Sequence, residues 1–371
     1  MQVDPEGESR PLISLFSGAG GLDQGFKERG FETRLAYDIE QHCVNTIEHN
    51  HQAASAHQED LSEIDVDTII SHWRTSSEVP PVGLLGGPPC QSFSRSNVYK
   101  KDQDPRDTLP RHYARILNGL NDELGLDFFV FENVPGLLDE DHIELYDSFK
   151  RRARAAGFIV SEGELDAKYF GVPQNRKRIF VVGVNEDRFD SRFQFPKEDE
   201  NASTPTVQDA IGDLPEPIHF SRSLTPEDIA QEAGHPNHWC MRPRSDKFED
   251  GSLSPGEIKG RSFRTLAWDQ PSYTVAYGHR EVHVHPNCNR RLSIFEAMRL
   301  QAFPDEYELV GNLSQQIDMI SDAVAPPVAE ALAWALDKQL YLSHEGTDEL
   351  VDQHLSSRRN GQIRLELNSP E

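Results

Sequence analysis

The chain of 371 residues lacks the features that mark membrane and secreted proteins. It contains no run of 18 apolar residues, and the segment from Met1 to Arg10 is polar and acidic, so we expect neither a membrane span nor a signal peptide. Its four cysteines include no Cys-x-x-Cys pair, which argues against a disulfide framework and a four-cysteine zinc site. These absences predict a cytoplasmic protein whose thiols stay reduced.

Positive charge is also scarce. The 37 Lys and Arg residues face 62 Asp and Glu residues, which gives a formal net charge of −25. The acidic excess is spread over the whole chain, as is typical of proteins from salt-loving organisms, where concentrated salt screens repulsion between carboxylates. We therefore expect adaptation to high salt. An ordinary acidic cytosolic protein is the alternative, because net charge reports on solubility rather than on fold.

The distribution of apolar residues predicts an α/β fold with two domains. Between residues 11 and 184, short β-branched or aromatic runs alternate with helical patterns, which indicates a Rossmann-like, mostly parallel sheet with helices on both faces. Residues 186–290 are rich in Pro, Gly, Ser, His and charge, as expected of a smaller, loop-rich domain. Helical periodicity returns at 291. We predict a discontinuous catalytic domain (10–185 and 291–342), a second domain (186–290) and a polar C-terminal tail (343–371). The predicted strands are Leu12–Phe16, Arg34–Tyr37, Val82–Leu85, Phe128–Phe131 and Ile179–Val184.

A glycine-rich loop follows the first predicted strand and precedes a helical pattern, which indicates a nucleotide-type pocket. The dinucleotide fingerprint needs glycine where this chain has Asp23, and that counts against a pyrophosphate ligand. Asp38 lies at the end of the next strand, where it could accept hydrogen bonds from ribose hydroxyls. Asp60 follows a third segment, where it could accept a hydrogen bond from the adenine amine. Capping of the following helices explains either aspartate equally well. S-adenosylmethionine fits this set better than NAD. The loop residues are Phe16, Gly18, Gly20 and Gly21.

A thiol and a carboxyl group are predicted to face one pocket. Cys90 lies in a Gly-Gly-Pro-Pro-Cys-Gln loop directly after an apolar run, and Glu132 follows another apolar strand. The carboxyl ends of parallel strands meet at one edge of a sheet, where α/β proteins place their sites. Further along, alternation puts Gln174, Arg176 and Arg178 on one face of a strand. For Cys90 the alternative is a buried, inert cysteine. For Arg176 and Arg178 the alternative is a solvated edge strand.

Taken in order, these motifs resemble those of DNA cytosine-5 methyltransferases over residues 12 to about 335. The resemblance implies that Cys90 adds to C6 of cytosine, that Glu132 acts at N3, and that Arg178, together with Arg176, stabilises developing negative charge at O2. It implies that the base is flipped out of the duplex, as is usual for methyltransferases. It further assigns the S-adenosylmethionine site to Phe16, Gly18, Gly20, Gly21, Asp38, Ile39, Asp60, Leu61 and Asp322.

One family motif departs from its usual form. The segment that is usually Gly-Asn-Ala-Val-Pro-Pro is here Ser321-Asp322-Ala323-Val324-Ala325-Pro326-Pro327. In the family this segment closes the methionine end of the cofactor pocket, so cofactor affinity is the property that the change affects. Asp322 can accept a hydrogen bond from an ammonium group, but it cannot donate one as Asn does.

The resemblance also predicts the partner, a specific double-stranded DNA sequence. Contacts are expected from Gln91, Ser92, Gln174, Arg242 and Arg244, the last two in the second domain. A transfer RNA methyltransferase of the same fold and a catalytically silent DNA-binding member are the alternatives, and the presence of Cys90 and Glu132 argues against the silent form. The enzyme is expected to be a nucleoid-associated monomer, with or without a restriction endonuclease for the same site. We expect no metal, because the His and Cys spacings of 235–288 match no common zinc pattern.

Overall fold

A computed structural model describes residues 10–89, 108–199, 203–260, 262–274 and 283–342. Its centre is a seven-stranded sheet of order β3-β2-β1-β4-β5-β7-β6. Strands β1 to β5 pair in parallel, whereas β7 runs antiparallel to both β5 and β6. The predicted α/β class is confirmed, and each of the five predicted strands is present. The strands are β1 (Arg10–Leu15), β2 (Phe31–Asp38), β3 (Ser55–Gln58), β4 (Gly83–Gly86), β5 (Phe128–Asn133), β6 (Phe158–Asp166) and β7 (Lys177–Asn185).

Helices cover both faces of this sheet, which is why its central strands β4 and β5 are buried along their whole length. On one face, Trp73, Tyr113 and Phe149 pack against the sheet, and on the other Phe26 and Leu332 do so. Helices α3 (Val66–Ser76), α4 (Leu109–Leu124) and α5 (Ile143–Ala155) build the first core, and α1 (Gly21–Lys27) and α10 (Pro326–Leu340) build the second. Helix α2 (Gln41–Asn50) follows β2.

The region predicted as a second domain is indeed rich in loops where the structure describes it, but its packing differs from the predicted boundaries. Phe193 and Phe195, which follow the predicted boundary at 186, belong to the core of the large sheet. Trp239 packs with Met298 and Met319 beyond the predicted boundary at 291. The regular elements here and just beyond are α6 (Val207–Ile211), β8 (Ile218–His219), α7 (Pro226–Ala233), β9 (Trp239–Cys240), β10 (Ile258–Lys259), β11 (Phe263–Thr265), β12 (His283–Val284), α8 (Ile294–Leu300) and α9 (Leu313–Asp322).

Two negative findings apply to the described ranges only. No helix there is long and apolar enough to cross a membrane. No group of three or more His, Cys, Asp or Glu side chains within those ranges could hold a metal ion. The predicted C-terminal tail (343–371) lies outside the described residues.

The sheet order creates a crevice at the carboxyl ends of its strands. β1 lies between β2 and β4, so the chain runs outward to one side through β2 and β3 and to the other through β4 and β5. Parallel α/β sheets bind ligands outside the carboxyl ends of the strands at such a switch point. The segments that follow β1, β2, β4 and β5 therefore line the candidate site.

Candidate active site

The glycine loop after β1 is shaped by close packing against two later segments. Gly20 has a φ of +74°, and a Cβ there would overlap the Tyr307 hydroxyl, which itself donates to the carbonyl oxygen of Ala19 at 2.7 Å. Gly21 leaves no room for a side chain either, because its Cβ would overlap the carbonyl oxygen of Val324. The loop is thus held in place by residues almost 300 positions later in the chain.

Asp38, at the end of β2, fixes the same loop from the other side. Its carboxylate accepts the amide N–H of Gly18 at 2.8 Å and that of Glu40 at 3.0 Å. Burial raises the pKa of Asp38, and the two backbone hydrogen bonds oppose that rise. The neighbouring Ile39 is 56% exposed, so an apolar side chain stands at the mouth of the crevice beside a buried carboxylate.

These residues fit S-adenosylmethionine. The buried hydroxyl of Ser17 has no hydrogen-bond partner among the described residues, and it lies in the glycine loop, where a ligand could supply one. The exposed Ile39 offers a surface for a flat adenine ring. Ser17 was not among the predicted site residues, although its position inside the glycine loop was a signal that could have identified it.

Two further predicted cofactor residues have structural roles. Asp60 is exposed, and its carboxylate accepts from the hydroxyl of Ser62 at 2.7 Å and from the amide of Ser62 at 2.8 Å; these bonds lower its pKa. These bonds stabilise a turn and do not cap a helix, because the helix that follows, α3, begins at Val66 with Asp65 as its N-cap. The side chain of Leu61 is 2% exposed and packs in the core beneath the first helical layer, so it cannot line the crevice in this structure.

Glu132 lies near the end of β5, buried and paired with Arg178. Its Oε1 accepts from Arg178 Nε at 2.9 Å. Burial is the main cause that raises the pKa of Glu132, and the guanidinium groups of Arg178 and Arg176 counteract it. The carboxyl group of the acid motif and the second arginine of the arginine motif therefore lie together. A buried glutamate whose pKa is raised holds a proton more readily than an exposed one, which suits a group that must donate one.

The segment that leads to Cys90 lies against this carboxyl group. A Cβ at Gly87 would come within 2.6 Å of Glu132 Oε2, and Asn133 Nδ2 donates to the carbonyl oxygen of Pro88 at 3.2 Å. The chain two residues before Cys90 is therefore tied to the residue that follows Glu132. Cys90 itself, with Gln91 and Ser92, lies outside the described residues.

The arginine motif is arranged differently from the prediction. Strand β7 begins at Lys177, so Gln174 and Arg176 precede it and turn into the protein interior instead of sharing a strand face with Arg178. Gln174 has no exposed surface and its amide donates to the carbonyl oxygen of Leu300 at 3.4 Å, so a DNA contact by this side chain is incompatible with this structure.

Arg176 has a supporting role. It is 1% exposed, and its Nη2 donates to the carbonyl oxygens of Ser321 at 2.7 Å and Ala323 at 2.6 Å. It thereby clamps the backbone on both sides of Asp322. Arg178 contacts Glu132 directly, so the arginine that we expect at the reacting base is Arg178.

Outside the crevice, the predicted DNA-binding residues Arg242 and Arg244 are exposed just beyond β9. Two histidines of the 235–288 region, His235 and His238, bond to other groups of the protein. His235 bonds to the carbonyl oxygen of Tyr307 at 3.2 Å, and His238 contacts the hydroxyl of Ser293 at 2.8 Å. Burial lowers the pKa of both imidazoles, to about 4 for His235.

Comparison with known proteins accounts for almost the whole chain. The family model for C-5 cytosine-specific DNA methylase matches residues 11–338. The Type II methyltransferase M.MthTI of Methanothermobacter thermautotrophicus is 33% identical over 354 residues, covering 89% of this chain and 97% of that protein. M.FnuDI of Fusobacterium nucleatum, also a Type II methyltransferase, is 31% identical, covering 89% and 94%.

Solved structures agree with this match. A protein described as a DNA modification methyltransferase encoded within an E. coli prophage superposes with a TM-score of 0.73 at 26% identity, covering 90% of this chain and 99% of that one. DNMT2 of Spodoptera frugiperda shares the fold with a TM-score of 0.59 at 17% identity, covering 88% and 99%. The chain therefore belongs to the C-5 cytosine-specific DNA methylase family, and it transfers the methyl group of S-adenosylmethionine to C5 of cytosine in DNA.

Proposed function

We propose that Cys90 is the nucleophile of this reaction and that the target is a cytosine flipped out of a specific double-stranded sequence. The observation that carries the proposal is the contact between Glu132 and the segment before Cys90. Gly87 lies against the Glu132 carboxyl group, and Pro88 accepts a hydrogen bond from Asn133. The backbone that leads to Cys90 is therefore held beside the carboxyl group that would bind the base.

The residues divide the chemistry among them. The Cys90 thiolate forms a bond to C6 of the cytosine, while Glu132 gives a proton to N3 and Arg178 balances the charge that develops on the ring. S-adenosylmethionine supplies the methyl group that C5 accepts. A base then removes the C5 proton, the C5–C6 double bond reforms, and Cys90 leaves as a thiolate, while N3 returns its proton to Glu132.

The supporting parts follow from the same arrangement. Phe16, the glycine loop and Asp38 hold the cofactor, with Ser17 and Ile39 as additional contacts. Arg242 and Arg244 contact the DNA, because they are exposed cations in the loop-rich region. C6 is unreachable in a stacked duplex, so the base must be extruded.

The cellular setting is part of the proposal. The enzyme works as a monomer in the cytoplasm, associated with the nucleoid. The relatives M.MthTI and M.FnuDI are Type II methyltransferases, which supports a restriction endonuclease of the same specificity as its partner.

The test combines a nucleophile variant with mapping of the product. Cys90→Ser should abolish methyl transfer to DNA and preserve DNA binding, because a hydroxyl is far less ionised than a thiol at neutral pH. Cys288→Ser is the control, since Cys288 is a partly exposed thiol outside the crevice. Bisulfite sequencing of DNA from cells expressing the wild-type protein should show one methylated sequence. Methylation of transfer RNA instead, or full activity of Cys90→Ser, would contradict the proposal.

A further inference from the structure

Asp322 is the last residue of α9, and its backbone is held between the two halves of the active site. On one side, Arg176 donates to the carbonyl oxygens of both flanking residues. On the other side, Val324, two residues later, packs its carbonyl oxygen against Gly21 of the glycine loop. Asp322 is therefore fixed relative to both the cofactor loop and the arginine segment that leads to Arg178.

The charge of Asp322 affects two ionisable groups, the Glu132 carboxyl and the Cys43 thiol. It contributes to the raised pKa of Glu132, for which burial is the main cause. It contributes likewise to the raised pKa of the Cys43 thiol, for which burial again comes first and the charges of Asp38 and Glu40 follow. Asp322 thus lies within electrostatic range of the catalytic carboxyl group and of the thiol that adjoins Asp38.

The two cofactor forms differ in charge at the point where the methyl group leaves. S-adenosylmethionine carries a positive sulfonium, whereas the product S-adenosylhomocysteine carries a neutral thioether. The methyl group passes directly from sulfur to the base, so the sulfur would lie between the glycine loop and Glu132. The segment around Asp322 adjoins that region, because it contacts the glycine loop through Val324 and the arginine motif through Arg176. A carboxylate in that region attracts the sulfonium but gains little from the thioether.

We propose that Asp322 selects the methyl donor over the demethylated product by charge, which weakens product inhibition. The inference rests on the cofactor site proposed above. The ordinary family residue, Asn, is neutral and of nearly the same shape, so Asp322→Asn isolates the charge. For two unit charges that are partly screened by water at the pocket mouth, the expected preference is about tenfold.

The experiment is calorimetric titration of the full chain with each cofactor form, which needs no turnover. Asp322→Asn should weaken S-adenosylmethionine by about tenfold and leave S-adenosylhomocysteine unchanged or tighter. Sinefungin, which carries a protonated amine in place of the methylsulfonium, should follow S-adenosylmethionine. Asp318→Asn is the matched control: it removes an exposed carboxylate one turn earlier on α9 and should leave the ratio of affinities unchanged.

A second variant separates this inference from the site on which it rests. Asp38→Asn should weaken both cofactor forms by the same factor, because the ribose is common to them. If Asp38→Asn does so and Asp322→Asn also changes both forms equally, charge selection is overturned and the cofactor site stands. If Asp38→Asn changes neither affinity, the cofactor site itself is wrong and the inference falls with it.

Discussion

Replacing Glu132 by Gln tests the acid role while disturbing the structure little. Gln keeps an oxygen that can accept from Arg178 Nε, the contact that is 2.9 Å long in the wild type. The change replaces an ion pair by a hydrogen bond from the charged guanidinium to a neutral amide oxygen, a loss of about 1 kcal/mol, and we expect the melting temperature to fall by only about 2–4 °C. The rate of methyl transfer should fall by about 10² to 10⁴, the range for a lost general acid.

The pH profile adds a second readout. The pKa of Glu132 lies above its ordinary value because the side chain is buried. Glu132 donates a proton, so the wild-type rate should fall as the pH rises through that raised pKa, and the Gln variant should lack this descending limb. The assay is the single-turnover transfer of a radiolabelled methyl group across a pH series.

A matched substitution controls for the loss of an ion pair. Glu164 on β6 pairs with Lys177 at 2.9 Å, in the same sheet but exposed. Glu164→Gln should leave the rate and its pH profile unchanged. A rate for Glu132→Gln within a few fold of the wild type, or an unchanged descending limb, would remove Glu132 from the chemistry.

Three further predictions follow from the packing and the charge. Gly21→Ala should weaken S-adenosylhomocysteine binding and lower stability by about 1–3 kcal/mol, because the added Cβ would overlap the Val324 carbonyl oxygen. Gly30→Ala is the control: its Cβ would meet no atom within 4 Å, so cofactor binding measured by calorimetry should not change. Arg242→Ala and Arg244→Ala should each weaken DNA binding, measured by fluorescence anisotropy, without changing cofactor affinity; unchanged DNA affinity would exclude both side chains as contacts. Activity and melting temperature should rise with KCl toward the molar range, because the chain has a net charge of −25 and salt screens both its repulsion from DNA and the repulsion among its own carboxylates. An activity maximum below about 0.1 M would show that the acidic composition is not an adaptation to salt.

The sequence predicted the central strands well because burial on both faces leaves a clear signal. Strand β5, Phe128–Asn133, is buried throughout, and its first four residues form an apolar run. The two strands that were missed lie at the edges of the sheet. β3 is only four residues long, Ser55–Gln58, and β6 changes from Phe-Ile-Val to Ser-Glu-Gly-Glu, so neither carries a continuous apolar pattern.

The sequence motifs predicted which residues belong to the site, and the structure changed the predicted placement of the arginine motif. Alternation along a strand would align Gln174, Arg176 and Arg178, but β7 starts only at Lys177, and the two earlier side chains turn inward to bond to carbonyl oxygens. A strand boundary shifted by a few residues cannot be read from polar residues alone. The packing of Phe193 and Phe195 in the core of the large sheet carries as little signal, because they are isolated aromatic residues in a polar stretch.

The central claim is the covalent bond between Cys90 and C6 of the target cytosine. DNA that carries 5-fluorocytosine at the target tests it directly, because fluorine at C5 cannot leave as the proton does in the elimination step. The wild-type enzyme with S-adenosylmethionine should form a protein–DNA adduct that survives a denaturing gel, and Cys90→Ser should form none. A fully active enzyme that gives no shifted band, or an adduct that persists in Cys90→Ser, would contradict the account.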